Sequence, residues 1–113
     1  MKLRIDPSKI SFRLDFDELM HLKTHGDIQE VITLPQGHLT YKVISLPAGG
    51  APEFEVAGPL YTLSLPQDMI AAHHAALPSL DGIICCFPCQ QGGTITVSLE
   101  VNLKKSRQRA HIS

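Results

Sequence analysis

Residues 10–26 contain a complete strand-to-helix unit, with a start signal and a stop signal for the helix. Apolar and polar side chains alternate over residues 10–14, which is the two-residue period of a half-buried strand. Asp15 follows where a side-chain oxygen can cap a helix, and Glu18 three residues later completes a capping box. Gly26 can adopt the left-handed conformation that ends a helix. The passage therefore predicts a strand followed directly by a short helix.

The rest of the sequence reads mostly as strands, with one further helix. Residues 94–103 alternate apolar and polar side chains, and a strand with one dry and one wet face is typical of an antiparallel sheet. Pro66 suits the first position of a helix that continues over residues 67–77, and Pro78 ends this helix. No repeat of fixed period is visible. Further strands are predicted at residues 1–5, 28–34, 39–46, 54–56, 60–65 and 83–87.

The order of these elements indicates the fold class. Two strands, a helix, three or four strands, a second helix and two strands follow one another, and two short helices cannot supply the crossovers of a doubly wound sheet. We expect an α+β domain over residues 1–103, with an antiparallel sheet of about six to eight strands that could curl into a partial barrel. A chain of 113 residues with 43% hydrophobic content suits one domain with one core.

Charge is distributed unevenly along the chain. Residues 1–103 carry six Lys or Arg against eleven Asp or Glu, whereas residues 104–113 are basic. We expect residues 104–113 to form a disordered basic tail, because chain ends are usually loose. An acidic body is a poor platform for nucleic acid, so weak nucleic-acid attachment would have to use the tail alone. The basic residues of the tail are Lys104, Lys105, Arg107 and Arg109.

The sequence also indicates a location. It has no apolar run near the ~18–20 residues that span a bilayer, and its charged start lacks the apolar core of a signal peptide. The three cysteines are clustered, unlike the spread, even-numbered cysteines of secreted disulfide frameworks. We therefore expect a soluble cytoplasmic protein.

The cysteine cluster suggests a metal site. Cys86 and Cys89 have the spacing of a zinc knuckle, and His73, His74 or a second subunit could supply the remaining ligands. The alternative is that the thiols are buried and inert. A redox pair is disfavoured, because the first cysteine of such a pair belongs at a helix N-terminus and this pair precedes a strand.

Other chemistry finds less support in the sequence. His21 and His25 lie one helical turn apart and could reach one ion, but two histidines near a helix C-terminus also oppose the helix dipole favourably. The sequence contains no nucleophile elbow, no Walker loop and no dinucleotide-binding glycine motif. We therefore name no catalytic residue and no cofactor other than zinc, and do not expect an enzyme.

Several short patterns resemble those of a family of short, uncharacterised bacterial proteins. The opening Met-Lys-Leu-Arg-Ile, the Arg-Leu strand, the capped helix and the Leu-Thr-Tyr at residues 39–41 are similar to that family's pattern, as are residues 63–66 and Gly82-Ile83. The likeness covers residues 1–103. It implies no activity and no functional residues, because the family has none to transfer. The family often continues into an acidic tail that contains cysteine, whereas this chain ends in a basic one.

Three functional hypotheses follow. The first is a small binding or interaction module without catalytic activity, with a homodimer through an exposed strand edge as one form. The second is a zinc-binding protein that uses Cys86 and Cys89. The third is weak nucleic-acid attachment through residues 104–113. The ligand, the partner and the pathway are not visible in the sequence.

Overall fold

The chain forms eight strands and two helices in the computed structural model, which describes residues 1–78 and 81–103. The α+β class and the order of elements are confirmed, with four strands between the helices. The predicted disordered tail, residues 104–113, lies outside the described residues. The strands are β1 (Lys2–Asp6), β2 (Lys9–Leu14), β3 (Asp27–Leu34), β4 (Gly37–Leu46), β5 (Glu53–Ala57), β6 (Leu60–Pro66), β7 (Ile83–Pro88) and β8 (Thr94–Val101); the helices are α1 (Phe16–His25) and α2 (Gln67–Ala75).

The strands form two four-stranded sheets, ordered β1-β2-β8-β7 and β3-β4-β6-β5. The outer pairs in each sheet are antiparallel, but β2 runs parallel to β8 and β4 runs parallel to β6. The eight described strands agree with the predicted six to eight and pair largely antiparallel, but they form two mixed sheets rather than one sheet and do not close into a barrel. The reason is that each helix follows a strand of one sheet and leads into a hairpin of the other.

One hydrophobic core joins both sheets and both helices. The Phe54 ring of β5 meets Phe12 of β2 edge-on, with the ring centroids 6.3 Å apart, and it lies 6.2 Å from Phe87 of β7. These contacts cross from one sheet to the other, so the sheets share their apolar faces. The most deeply buried apolar side chains are Phe12, Leu14, Leu19, Leu22, Val43, Leu63, Leu65, Ile70, Val97 and Leu99.

The ends of the first helix confirm the sequence signals. The Asp15 carboxylate accepts a hydrogen bond from the Glu18 N–H at 2.8 Å, and Glu18 accepts from the Asp15 N–H at 2.9 Å. Gly26 has a φ of 85° and donates to the Leu22 carbonyl. Pro66, by contrast, is the N-cap of α2 rather than its first residue, because its extended ψ of 141° keeps it at the end of β6.

The two halves of the chain repeat one arrangement of hairpin, helix and hairpin. The half from β1 to β4 and the half from β5 to β8 each contribute one hairpin to each sheet, so exchanging the halves reproduces both strand orders. The strand registers agree as well. Phe12 of β2 lies opposite Leu99 of β8 in the first sheet, and Leu63 of β6 lies opposite Val43 of β4 in the second. This internal two-fold was not visible in the sequence, because the equivalent side chains share polarity more often than identity.

Candidate functional site

The structure places the predicted zinc cysteines at one end of the β7–β8 hairpin. Cys86 lies on β7 with its Sγ 3.8 Å from Thr96 Oγ1, and Cys89 follows the strand, where its N–H donates to the Gly93 carbonyl. Both are exposed and unpaired. The alternative of buried thiols therefore fits only Cys85, which is half-buried. Burial raises the pKa of the Cys85 thiol, and the neighbouring Cys86 raises it further by a smaller amount.

The predicted histidine ligands lie on α2, and His74 contacts α1. His74 Nδ1 is 2.7 Å from Lys23 Nζ, and its ring lies 5.5 Å from that of Phe16. His73 Nε2 is buried and finds no hydrogen-bond partner in the described part of the chain, and burial lowers the pKa of this side chain. Both contacts of His74 are with α1, so this side chain is engaged there.

No group of three or more His, Cys, Asp or Glu side chains with metal-binding geometry occurs among residues 1–78 and 81–103. His21 and His25 do come together, with ring centroids 4.4 Å apart, but they are exposed on the last turns of α1. The zinc hypothesis for Cys86, Cys89, His73 and His74 stays a prediction, and within one chain the described residues do not assemble such a site.

A buried polar network that the sequence did not reveal lies on the two central strands of the first sheet. Ser98 Oγ is 2.9 Å from Glu100 Oε2 and 3.2 Å from Ser11 Oγ, and both serines are almost fully buried. Burial raises the pKa of Glu100, but the hydrogen bonds from both serines and the charges of Arg13 and Lys9 outweigh it, so the net pKa is lowered. The network joins β2 to β8 and favours the ionised form of Glu100.

A cleft with a volume of about 750 Å³ runs between the first half of α1 and the beginning of β3. Five of its eight lining residues are acidic, and the sequence has only eleven acidic residues. We call this cleft the acidic groove. The sequence signal for this groove is the five carboxylates that fall within residues 15–30, and our sequence-based predictions did not include it. The lining residues are Asp15, Asp17, Glu18, His21, Asp27, Ile28, Gln29 and Glu30.

The Met1 amine binds two carboxylates at the rim of this groove. It pairs with Glu18 and lies 3.2 Å from Glu30 Oε1. The Tyr41 hydroxyl donates to the Met1 carbonyl at 2.9 Å. Burial raises the pKa of Tyr41, and the nearby charges of Glu30 and Glu18 raise it further. The rim therefore favours a positive charge and disfavours another negative one.

The internal two-fold shows that this polarity is specific to the first half. Glu18 on α1 corresponds to Met69 on α2, and Glu30 on β3 corresponds to Cys85 on β7. Met69 and Cys85 pack against the hydrophobic core. At these two positions the first half thus has carboxylates where the second half has apolar side chains, and this exchange accounts for the two charges that meet the Met1 amine.

The second half of β3 is an exposed, uncharged strand edge. Ile32 and Leu34 pair with residues 37–39 of β4, beyond the point where β6 joins β4, so this end of the hairpin has only two strands. Val31, Ile32 and Leu34 are 54%, 39% and 46% exposed. Monomeric proteins usually protect such edges with charge, proline or short length.

The backbone groups on this edge are also available. Ser45 N–H donates to the Gly26 carbonyl, and bonded pairs alternate along an antiparallel ladder. The register then directs the N–H and C=O groups of Ile28, Glu30 and Ile32 toward β4, and those of Val31 and Thr33 outward. An incoming strand could therefore pair with Val31 and Thr33.

The other three sheet edges are better protected. β1 carries Lys2, Arg4 and Asp6, and β5 carries Glu53 and Glu55. β7 is uncharged, with Ile84 58% exposed, but it ends in Pro88, which has no N–H to donate. β3 is therefore the edge best suited to accept a strand.

Comparison with known proteins adds a family but no activity. No helix among the described residues has the length and apolarity that a membrane crossing requires. No curated protein matches the sequence. A family model described as a family of unknown function, DUF7009, matches residues 1–108, which confirms the resemblance to an uncharacterised family. The chain belongs to this DUF7009 family.

Proposed function

We propose that this protein is a small interaction module without catalytic activity, which binds a partner chain by strand addition at the second half of β3. The simplest partner is a second copy, which makes the protein a homodimer. The observation that carries the proposal is the uncharged edge from Val31 to Leu34, with its exposed side chains and its outward backbone groups.

The sequence of β3 is compatible with pairing to itself. If two copies meet antiparallel about a two-fold axis at Ile32, Val31 of one copy exchanges both backbone hydrogen bonds with Thr33 of the other. Glu30 then lies opposite Leu34, and no two like charges face each other, which is the arrangement that cross-strand pairs require. The joined edges extend the second sheet from four strands to eight, across a closed two-fold interface.

The proposal includes a bacterial source and a cytoplasmic location. The bacterial source is inferred from the resemblance in residues 1–103. The cytoplasmic location is supported by Cys85, Cys86 and Cys89, all of which are free thiols, because reduced cysteines are the rule where glutathione keeps thiols reduced.

Size-exclusion chromatography with light scattering tests the interaction. We expect the wild-type mass to rise toward that of a dimer with concentration, and Ile32→Lys to hold the protein as a monomer. A lysine on an edge strand opposes pairing by its charge. Ile84→Lys on β7 is the matched control, because Ile84 is also apolar, exposed and on an uncharged edge. Equal effects of the two variants, or a wild-type monomer throughout, would count against the β3 edge.

A further inference from the structure

The second half of α1 brings two imidazole rings together at the protein surface. His21 and His25 are four residues apart, so their side chains lie on one face of the helix. Their ring centroids are 4.4 Å apart, with the ring planes inclined at 41°, and both side chains are exposed. Imidazole nitrogen is a preferred ligand of divalent copper, nickel and zinc. The pair can therefore offer two nitrogen ligands to one metal ion.

The ring nitrogens of this pair are available for coordination. Within residues 1–78 and 81–103, neither His21 nor His25 forms a hydrogen bond or an ion pair. The rings of α2 differ, because His74 Nδ1 lies 2.7 Å from Lys23 Nζ and His73 Nε2 is buried. A metal ion at the α1 pair would displace no protein contact of these nitrogens.

The helix dipole explains His25 but not His21. The favourable interaction of a cation with the dipole is limited to the last turn of a helix. The basic residues in the last turn of α1 are Lys23 and His25, and His21 lies one turn earlier. The position of His21 therefore has a different explanation.

The internal two-fold shows that the fold does not need these histidines. Alignment of the two helices at their N-caps places His21 at the position of Ala72 and His25 at that of Ala76. The second half of the chain completes the same arrangement of hairpin, helix and hairpin with methyl side chains at both positions. The imidazole pair is thus an addition specific to the first half.

The surroundings of the pair favour a cation. His21 lines the acidic groove together with Asp17, which lies one turn earlier on α1, and Asp27, which begins β3. Both carboxylates are exposed, and neither forms an ion pair with the described residues. The rim of the same groove binds the Met1 amine, which is itself a cation. The imidazoles supply the ligands, and the carboxylates attract the ion toward them.

We infer that His21 and His25 chelate one divalent transition-metal ion of the class that accepts nitrogen and water in tetragonal geometry, which is Cu²⁺ or Ni²⁺. Two protein ligands leave the other coordination positions to water, so the ion exchanges and the site fills from added metal. The site is separate from the strand edge at residues 31–34 and from the zinc hypothesis for Cys86 and Cys89. Its success or failure decides neither of them.

Calorimetric titration with Ni²⁺ tests the chelate in the untagged full chain, with Cys86→Ser and Cys89→Ser present so that these thiols do not compete. We expect one ion per chain. His21→Asn and His25→Asn should each weaken binding at least about tenfold, because a single remaining ligand loses the advantage of chelation. The double variant should bind no more weakly than either single variant, since each alone already removes the chelate. Single variants that keep the wild-type affinity at half the stoichiometry would mean two independent sites and would overturn the inference.

His38 provides the matched control, because it is an exposed histidine at the start of β4. His38→Asn should leave Ni²⁺ binding unchanged. In nuclear magnetic resonance spectra, Ni²⁺ added below one equivalent should broaden the ring signals of His21 and His25 before those of His38. Equal losses of affinity in His38→Asn and His21→Asn, or equal broadening of all three histidines, would mean unspecific binding to exposed imidazoles and would overturn the site.

Discussion

Glu30 on β3 and Cys85 on β7 occupy equivalent positions in the two halves of the chain, yet one is charged and the other is not. Glu30 lies opposite Tyr41 in its hairpin, as Cys85 lies opposite Val97. Glu30 reaches the Met1 amine at 3.2 Å, while Cys85 packs against the core. The same position therefore belongs to the hydrophobic core in the second half of the chain and to the acidic groove in the first half.

The charge of Glu30 should be measurable at Tyr41. Burial makes the largest contribution to the raised Tyr41 pKa, and the Glu30 carboxylate adds to it because a phenolate would lie near a negative charge. Glu30→Gln should therefore lower the Tyr41 pKa. Tyrosinate absorbance measures it in a Tyr61→Phe background, where Tyr41 is the one remaining tyrosine. Glu53→Gln is the control on β5, and an unchanged or higher pKa in Glu30→Gln would contradict the assignment.

The capping box of α1 should contribute to stability. Asp15→Ala removes the acceptor for the Glu18 N–H, and loss of such a cap costs about 1 kcal/mol. Urea unfolding should show this decrease. Asp17 lies in the first turn of the same helix, but the cap bond is made by Asp15. Asp17→Ala should therefore change the free energy of unfolding by less than about 0.5 kcal/mol. Equal effects would mean that charge near the helix end matters rather than the cap.

Gly82 should not tolerate a side chain. A Cβ at this position would lie 2.3 Å from the Leu99 carbonyl oxygen, which belongs to a buried backbone segment of β8. Gly82→Ala should lower the free energy of unfolding by about 1–3 kcal/mol, as overpacking commonly does. Gly50→Ala is the control, because its nearest neighbour, the Pro47 carbonyl oxygen, is 3.4 Å away. A Gly82→Ala protein as stable as Gly50→Ala would contradict the close packing.

His73 should make stability depend on pH. Burial holds its folded-state pKa below the ordinary 6.5, so the unfolded chain binds the proton more readily. The stability linked to His73 is then complete above pH 6.5 and is lost as the pH falls through 6.5 toward the lower folded-state value. Urea unfolding over this window should show a smaller pH dependence for His73→Leu than for the wild type. His38→Leu, at an exposed position of the β3–β4 hairpin, should keep the wild-type dependence.

The zinc hypothesis makes its own prediction. Elemental analysis of untagged protein should find zinc in a fixed ratio to the chain, and Cys86→Ser with Cys89→Ser should remove it. The described residues of one chain do not bring these cysteines together with His73 or His74. Bound zinc would therefore be coordinated by ligands from more than one copy of the chain. Metal-free protein, or zinc that persists in the double variant, would eliminate this site.

Local signals in the sequence were sufficient for the elements but not for their assembly. The Asp15 cap, the Gly26 stop and the strand β8 depend on neighbouring residues, and all three are confirmed. The predicted wet face of β8 is wrong, because Ser98 on that face is buried and bonded to Ser11 of β2. The parallel pairing of β2 with β8 depends on residues far apart in the chain, and no local pattern reports it. The acidic groove arises in the same way, because α1 places Glu18 beside Glu30 only after the chain has folded.

Hydrogen exchange at the amides of Val31 and Thr33 tests the proposed interaction most directly. Both N–H groups point away from β4, so they are unprotected in a monomer and bonded in a dimer joined at β3. We predict slow exchange at high protein concentration and fast exchange on dilution, while Ile32, which is bonded to β4, stays protected throughout. Fast exchange of Val31 and Thr33 at every concentration would contradict the strand-edge interaction.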